Sequence, residues 1–332
     1  MKRVTPRELH SILQKTIEAR LPVFVWGSPG TGKSAITQQV AEKMGIDFID
    51  VRLSQLDPTD LRGLPAIKGD HALWLSPTFL PQPNRNKEKG VLFLDELNVA
   101  PPLVQAAAYQ LILDRKVGEY TLPSGWSIVS AGNRMEDATV TFQMPAALKN
   151  RFLHLELEPN LEDWKIWAFK NNIDKRIIAF LNFRPELLFK FDKKKNAFPT
   201  PRSWEFCSRA IESGLDIETA ALSSVGEGAA TELSAFLKIY RDLPSPAHIL
   251  SRKIQFEEPS QMYAVCEILI HYVQNHMREK EKLLDYILSI KKKEFSVVLA
   301  RDALECGIPL NECKEWGKFQ NKFQHLFEHL IS

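Results

Sequence analysis

No stretch of this chain approaches the ~20 consecutive apolar residues that a membrane-spanning helix requires, so no helical membrane span is expected. The opening residues, Met1 to Pro6, lead into charged, helix-like sequence without the apolar centre of a secretory signal, and the cytoplasm is the compartment expected. Cysteine is rare: Cys207, Cys266, Cys306 and Cys313 are scattered. None stands at the close spacing of a zinc or redox motif, so they read as small buried hydrophobes. Excess charge is lacking too. Lys and Arg number 43 against 41 Asp and Glu, and the resulting +2 gives no electrostatic reason to expect nucleic-acid binding. The lysine runs 193–195 and 291–293 are short and lie close to acidic residues, as solvated loops and helix ends do. His325 and His329 flank Glu328, but their order is not the His-Glu-x-x-His of a zinc helix, and they read as a solvated face.

What is present is an ordinary globular composition, 44% hydrophobic and 25% charged, over 332 residues. That length exceeds the ~250–300 residues at which single cores tend to divide, so two or more domains are expected. Thr5-Pro6-Arg7-Glu8 predicts a capped helix start, with the helix running to about Arg20. Apolar runs at 22–26, 47–51, 91–94, 127–130 and 152–157 predict five strands. Alternation of strands with helical segments implies crossover units and a parallel sheet. Val91-Leu92-Phe93-Leu94, apolar throughout, suits a central strand covered on both faces. From about Asn160 helical periodicity takes over, broken near Pro199–Pro201, Gly226–Gly228 and Leu243–Pro246. The expected division is an α/β core over 1–158, a helical domain over 159–245 and a helical extension over 246–332. The last helix places Phe319, Phe323, Leu326, Phe327 and Leu330 on one face. Trp164 and Trp167, three apart, read as helical core.

The chemistry is concentrated in the first part. Gly27, Ser28, Pro29, Gly30, Thr31, Gly32, Lys33 and Ser34 satisfy G-x-x-x-x-G-K-[ST] in full, after an apolar strand and before a helix. The glycines let consecutive N–H groups curl around one anion. The helix start adds its positive dipole end. Lys33 is placed to reach the β- and γ-phosphates of ATP, and Ser34 to offer its hydroxyl to Mg²⁺. Asp95 and Glu96 follow the apolar 91–94 strand, at the strand end where α/β sheets place their chemistry. Asp95 suits the Mg²⁺ shell; Glu96 suits the base that polarises an attacking water. Asn133 follows the fourth predicted strand. Its amide could bond both water and γ-phosphate or satisfy only its own turn, and local sequence leaves both uses open.

Together these pieces resemble the AAA+ ATPases, and within them the MoxR-like group, over roughly residues 5–245. The group-specific matches are Asp95-Glu96-Leu97-Asn98-Val99-Ala100-Pro101-Pro102, Val117-Gly118-Glu119-Tyr120, Ala131-Gly132-Asn133-Arg134, Pro145-Ala146-Ala147-Leu148-Lys149-Asn150-Arg151-Phe152 and Pro201-Arg202. The resemblance implies an α/β AAA+ P-loop core with a central parallel sheet, an α-helical lid and, here, a helical C-terminal extension. It implies that Asn133 is the sensor 1 residue, Arg151 an arginine finger completing a neighbouring subunit's site, and Arg202 the sensor 2 arginine. It implies a ring of copies, expected to be a hexamer. Residues 56–80 resemble the group's helix-2 insert and 116–127 its pre-sensor-1 hairpin, both directed towards substrate. Val99 stands where many members have arginine, so any contact made by that arginine is absent. Ser224 to Ala230 followed by Leu243-Pro244 resembles a subgroup encoded beside von Willebrand factor A-domain proteins, which suggests such a partner.

Three functions make different demands on these residues. A remodelling ATPase acting on a protein client accords with the insertions. A nucleic-acid-translocating motor predicts a basic hairpin, yet 116–127 has only Lys116 against Glu119. A non-hydrolysing scaffold predicts loss of Glu96 or Asn133, and both are present. The first reading is preferred.

Overall fold

The computed structural model describes residues 1–134, 136–137 and 142–331; the side chains of 68, 72 and 324–331 are outside the description. The chain divides into two compact units, Met1–Asn160 and Leu161–Ser332.

The first unit runs β1 (Lys2–Val4), α1 (Pro6–Glu18), β2 (Val23–Trp26), α2 (Lys33–Lys43), β3 (Asp47–Arg52), α3 (Pro58–Arg62), β4 (Leu64–Lys68), β5 (His71–Leu75), β6 (Gly90–Asp95), α4 (Pro102–Asp114), β7 (Lys116–Val117), β8 (Tyr120–Thr121), β9 (Trp126–Gly132), α5 (Ala146–Lys149) and β10 (Leu153–Leu157). Six strands form one sheet in the order β1-β10-β2-β9-β6-β3, every pair parallel. The five strands expected from sequence are all in it. The sixth, β1, has three residues, too few for a periodic signal, and exists by pairing with β10.

Period-two alternation explains how the sheet is held. Val23, Val25, Val91 and Phe93 enter one core with Leu9 and Leu13 of α1 and Val40 of α2. Phe24, Leu92 and Leu94 enter the opposite core with Val104, Ala107 and Leu111 of α4. Each fully buried side chain of this size contributes about 1.5–3 kcal/mol relative to exposure. Helix α1 starts where expected: the Thr5 hydroxyl accepts from Glu8 N (3.3 Å) and the Glu8 carboxylate accepts from Thr5 N (3.0 Å).

The insert over 56–80 contains α3 and the antiparallel hairpin β4–β5; β7–β8 form a second hairpin. The first opens at Gly63 (φ 89°), where a Cβ would lie 2.1 Å from the Leu75 carbonyl oxygen. Glu119, between β7 and β8, accepts from the Trp74 N–H at 3.3 Å, which joins the hairpins.

The second unit is helical: α6 (Leu161–Lys170), α7 (Lys175–Phe183), α8 (Pro201–Glu212), α9 (Ile217–Val225), α10 (Glu227–Arg241), α11 (Pro246–Arg252), α12 (Pro259–Asn275), α13 (Lys280–Ser289), α14 (Lys293–Glu305) and α15 (Trp316–Ile331). The breaks stand where proline and glycine put them. Pro201 occupies the first turn of α8 beneath a Thr200 cap, and Gly226 (φ 82°) separates α9 from α10. One core contains Trp164, Phe180, Trp204, Leu233 and Phe236, with Trp167 packed against it. The other is built on α12, α13 and α14 and takes in Phe319 and Phe323. The remaining residues expected on that helical face, Leu326, Phe327 and Leu330, and the His325 and His329 pair, have side chains outside the described residues. Of the cysteines, Cys207, Cys266 and Cys313 are buried and Cys306 half-buried, all as free thiols.

Candidate nucleotide site

Strand β2 delivers the phosphate loop at the carboxyl edge of the sheet. Gly30 and Gly32 adopt the left-handed backbone that side chains disfavour, at φ 77° and 97°. Gly32 is the N-cap of α2 and makes no side-chain cap, so the first N–H groups of the helix are open to an anion. Lys33 folds back into the loop. Its Nζ donates to the carbonyl oxygens of Gly27 (2.7 Å) and Ser28 (3.1 Å) and to Asn133 Oδ1 (3.1 Å). Thr31 donates to the same Ser28 carbonyl at 2.9 Å. The half-buried lysine is therefore already surrounded by oxygen acceptors in the arrangement phosphate oxygens can replace.

Strand β6 ends in Asp95, and Glu96 follows in left-handed backbone (φ 57°), a conformation that concentrates at functional sites. Burial pushes the Asp95 carboxyl up, and the charges of Asp50 and Glu96 add to this; the Glu96 N–H bond and Lys33 oppose it. A carboxylate held among other carboxylates is a place that welcomes a cation. Ser34 stands on the first turn of α2 with its hydroxyl on Asp50 Oδ2 at 2.9 Å. Among the described residues no three His, Cys, Asp or Glu side chains form a metal cage. Mg²⁺ does not require one, since it takes most of its ligands from water and phosphate. The donor set Ser34, Asp95 and a phosphate oxygen fits it.

Strand β9 brings Asn133 to Lys33. Gly132 makes this possible, because a Cβ there would lie 2.3 Å from Asn98 Oδ1 and 2.8 Å from the Phe24 ring. Asn98, buried, donates to the Asn133 carbonyl oxygen at 2.8 Å and so ties the segment after β6 to the end of β9. Asn133 Oδ1 accepts from Lys33.

Among the described residues of the first unit, the Arg151 side chain makes no hydrogen bond or ion pair with this cluster. Arg151 lies between α5 and β10, and Arg202 is on the first turn of α8 in the second unit; both side chains are exposed. Val99, half-buried, follows the Glu96 turn, whose carbonyl oxygen accepts from the N–H groups of Val99 and Ala100 at 3.1 Å.

Sequence reasoning missed several partners. Ser54 donates to the Glu96 carboxylate, Asp50 holds Ser34, and Asp137 accepts from Ser28. The only local signal was Asp50, a charge in a largely apolar strand.

Residues 22–152 match the AAA domain family, dynein-related subfamily. Midasin of Giardia intestinalis is 30% identical over 169 residues, 48% of this chain, and the chain spans 3% of that protein's length. Two structures from Thermotoga maritima, a RuvB mutant and the RuvB Holliday junction branch migration motor, align over 81% and 85% of this chain and 86% and 74% of theirs. Their identities are 15% and 14% and their TM-scores 0.39 and 0.34. Among the described residues no helix is long and apolar enough to cross a membrane. The phosphate loop, the Asp95–Glu96 strand end and Asn133 all lie inside the residues that match the AAA domain family.

Proposed function

We propose that this chain is a MoxR-like AAA+ ATPase that hydrolyses ATP with Mg²⁺ and, as a ring of its own copies, remodels, activates or inserts cofactor into a protein partner. The observation that carries the ATPase part is the convergence of Lys33, Asn133, Asp95 and Glu96 from three strand ends. Gly27, Ser28, Pro29, Gly30, Thr31, Gly32 and Lys33 wrap the phosphates, with Lys33 exchanging carbonyl oxygens for phosphate oxygens. Ser34 and Asp95 would hold Mg²⁺, which would supply positive charge against the phosphate oxygens. One Glu96 oxygen is engaged by Ser54, and its carboxylate takes the proton of the attacking water. Asn133 holds Lys33 and is adjacent to the reacting phosphate.

Charge developing on the transferred phosphoryl group needs a further cation, and an arginine supplied by a neighbour is worth ~10³–10⁵ in rate. Arg151 is exposed, its N–H donates to the Leu148 carbonyl oxygen at 3.1 Å, and among the described residues its side chain makes no hydrogen bond or ion pair, which suits a residue destined for another subunit. Arg202 would serve as sensor 2, with 159–245 as the helical lid and 246–332 as its extension. A protein client is supported by the exposed apolar side chains of β4–β5, where Ile67 is 90% exposed and Leu64 66%. A von Willebrand factor A-domain protein is the partner the sequence suggests.

Glu96→Gln should bind ATP normally yet turn over about 10²–10⁴-fold more slowly, read by equilibrium binding and steady-state hydrolysis; equal loss of binding would contradict its role as base. Arg151→Ala should be inactive alone and regain part of its activity when mixed with Lys33→Ala subunits, which still carry the finger. Mixed assemblies that form but stay inactive would remove the role in trans. The Glu96→Gln protein held in ATP is the bait for identifying the client.

A further inference from the structure

Ser28 is the point where the phosphate loop is fastened. It is 2% exposed. Its carbonyl oxygen accepts from Lys33 and Thr31, and its hydroxyl points the other way, donating to Asp137 Oδ2 at 2.6 Å. Asp137 comes from the segment after β9, the same segment that carries Asn133. That segment therefore touches the loop twice, at Lys33 through Asn133 and at Ser28 through Asp137.

The carboxylate is itself held. Arg134 Nε lies 3.9 Å from Asp137 Oδ2 and 3.2 Å from Glu156 Oε1. Glu156 is a buried residue of β10, and in the sheet it stands opposite Trp26, the last residue before the loop. Arg134 also reaches Glu136 at 3.7 Å, and Arg3 lies 3.6 Å from Glu156. A circuit thus leaves β2, passes through Ser28, Asp137, Arg134 and Glu156, and returns to the sheet beside β2. A buried hydroxyl with one charged acceptor has one favourable rotamer, and fixing it fixes the backbone whose carbonyl receives Lys33.

We propose that Asp137 is a positioning residue of the phosphate loop, shaping it through Ser28 to receive the polyphosphate of a nucleotide. It touches no phosphate itself. This rests on reading the loop as a nucleotide site. Because it acts on the loop and not on the reacting γ-phosphoryl group, it affects ADP and ATP alike and shows in affinity, not in turnover at saturation.

The test uses the full chain, with ATP and ADP as the probes in calorimetric titration, alongside steady-state hydrolysis. Asp137→Ala and Ser28→Ala should each weaken both nucleotides by about tenfold, the size of one hydrogen bond to a charged group. Asp137→Ala should raise KM and leave kcat within about twofold. The double variant should be no weaker than the single ones, because both remove the same bond. Asp137→Asn, which keeps an acceptor oxygen, should recover most of the affinity. Melting temperatures without nucleotide should stay close to wild type. The proposal is overturned by wild-type affinity in Asp137→Ala, by multiplying losses in the double variant, by loss for ATP only, or by a matching fall in nucleotide-free stability. Wild-type protein that binds neither nucleotide would instead overturn the reading of the loop.

Discussion

Two clusters of charge stand in this molecule, one in each unit, and they are built on opposite terms. In the first unit Lys33, Asp95, Glu96 and Asn133 sit at the open edge of the sheet, partly exposed. Their partners are carbonyl oxygens, hydroxyls and amides that an incoming phosphate or cation can replace. In the second unit Lys165 of α6 is fully buried and donates to both oxygens of Asp302 of α14, at 2.9 and 2.8 Å. Arg301 adds a bond to Asp302 (2.9 Å) and an ion pair to Glu162 (2.7 Å). Glu267, also buried, lies in the same field. The difference teaches how to tell a binding cluster from a structural one. Charges that wait for a ligand are held by replaceable partners at a strand edge, whereas charges that hold a fold satisfy each other away from water.

The comparison can be broken most forcefully at Asp302. Asp302→Ala takes from buried Lys165 its two nearest acceptor oxygens, leaving Glu162 at 3.6 Å, and should cost about 3–5 kcal/mol, read by chemical denaturation. A second change, Lys165→Met, should restore much of the loss because it removes the stranded charge. Nucleotide affinity in the first unit should be unaffected.

Glu267 sharpens the same contrast through pH. Burial first, and then Asp302, push its carboxyl up to about 8, against the opposing pull of Lys165 and Lys175 and with a small push from Asp174. The folded state therefore keeps a proton that the unfolded state gives up from its ordinary value near 4.5. Stability is greatest below that value and falls as pH rises towards about 8. Glu267→Gln should flatten this slope and raise the melting temperature at pH 8 by roughly 4 °C or more, measured by calorimetry across pH 5 to 8. A slope unchanged in the variant would mean that another group carries it.

The smallest effect belongs to the replaceable cluster. The Ser54 hydroxyl donates to one oxygen of Glu96 and fixes the direction of the carboxylate. Ser54→Ala should lower basal ATP turnover by about two- to threefold without altering nucleotide affinity. Unchanged turnover would show that Glu96 is aimed without Ser54.

The phosphate loop and the strand ending at Asp95 were legible in sequence because each is a local pattern: glycines at fixed spacing, or an apolar run followed by acids. The alternation of Val91, Leu92, Phe93 and Leu94 similarly set which face of the sheet each side chain enters. Strand β1 was not legible, since three residues carry no period and only its pairing with β10 makes it a strand. Nor were Asp137 and Ser54, which find their partners 109 and 42 residues away with no motif to announce either contact.

What the sequence determined by itself was therefore whatever depends on neighbours along the chain. That covers the glycine-rich loop, the caps of α1 and α8, the breaks at Pro201 and Gly226, and the two acids at the end of an apolar strand. What only the tertiary structure decided was which distant groups complete those local pieces: Asp137 on Ser28, Asn133 on Lys33, and Asp302 on Lys165 across 137 residues. The physical reason is that backbone preference acts over a few residues, whereas desolvation makes every buried charge seek a partner wherever the fold has brought one within reach.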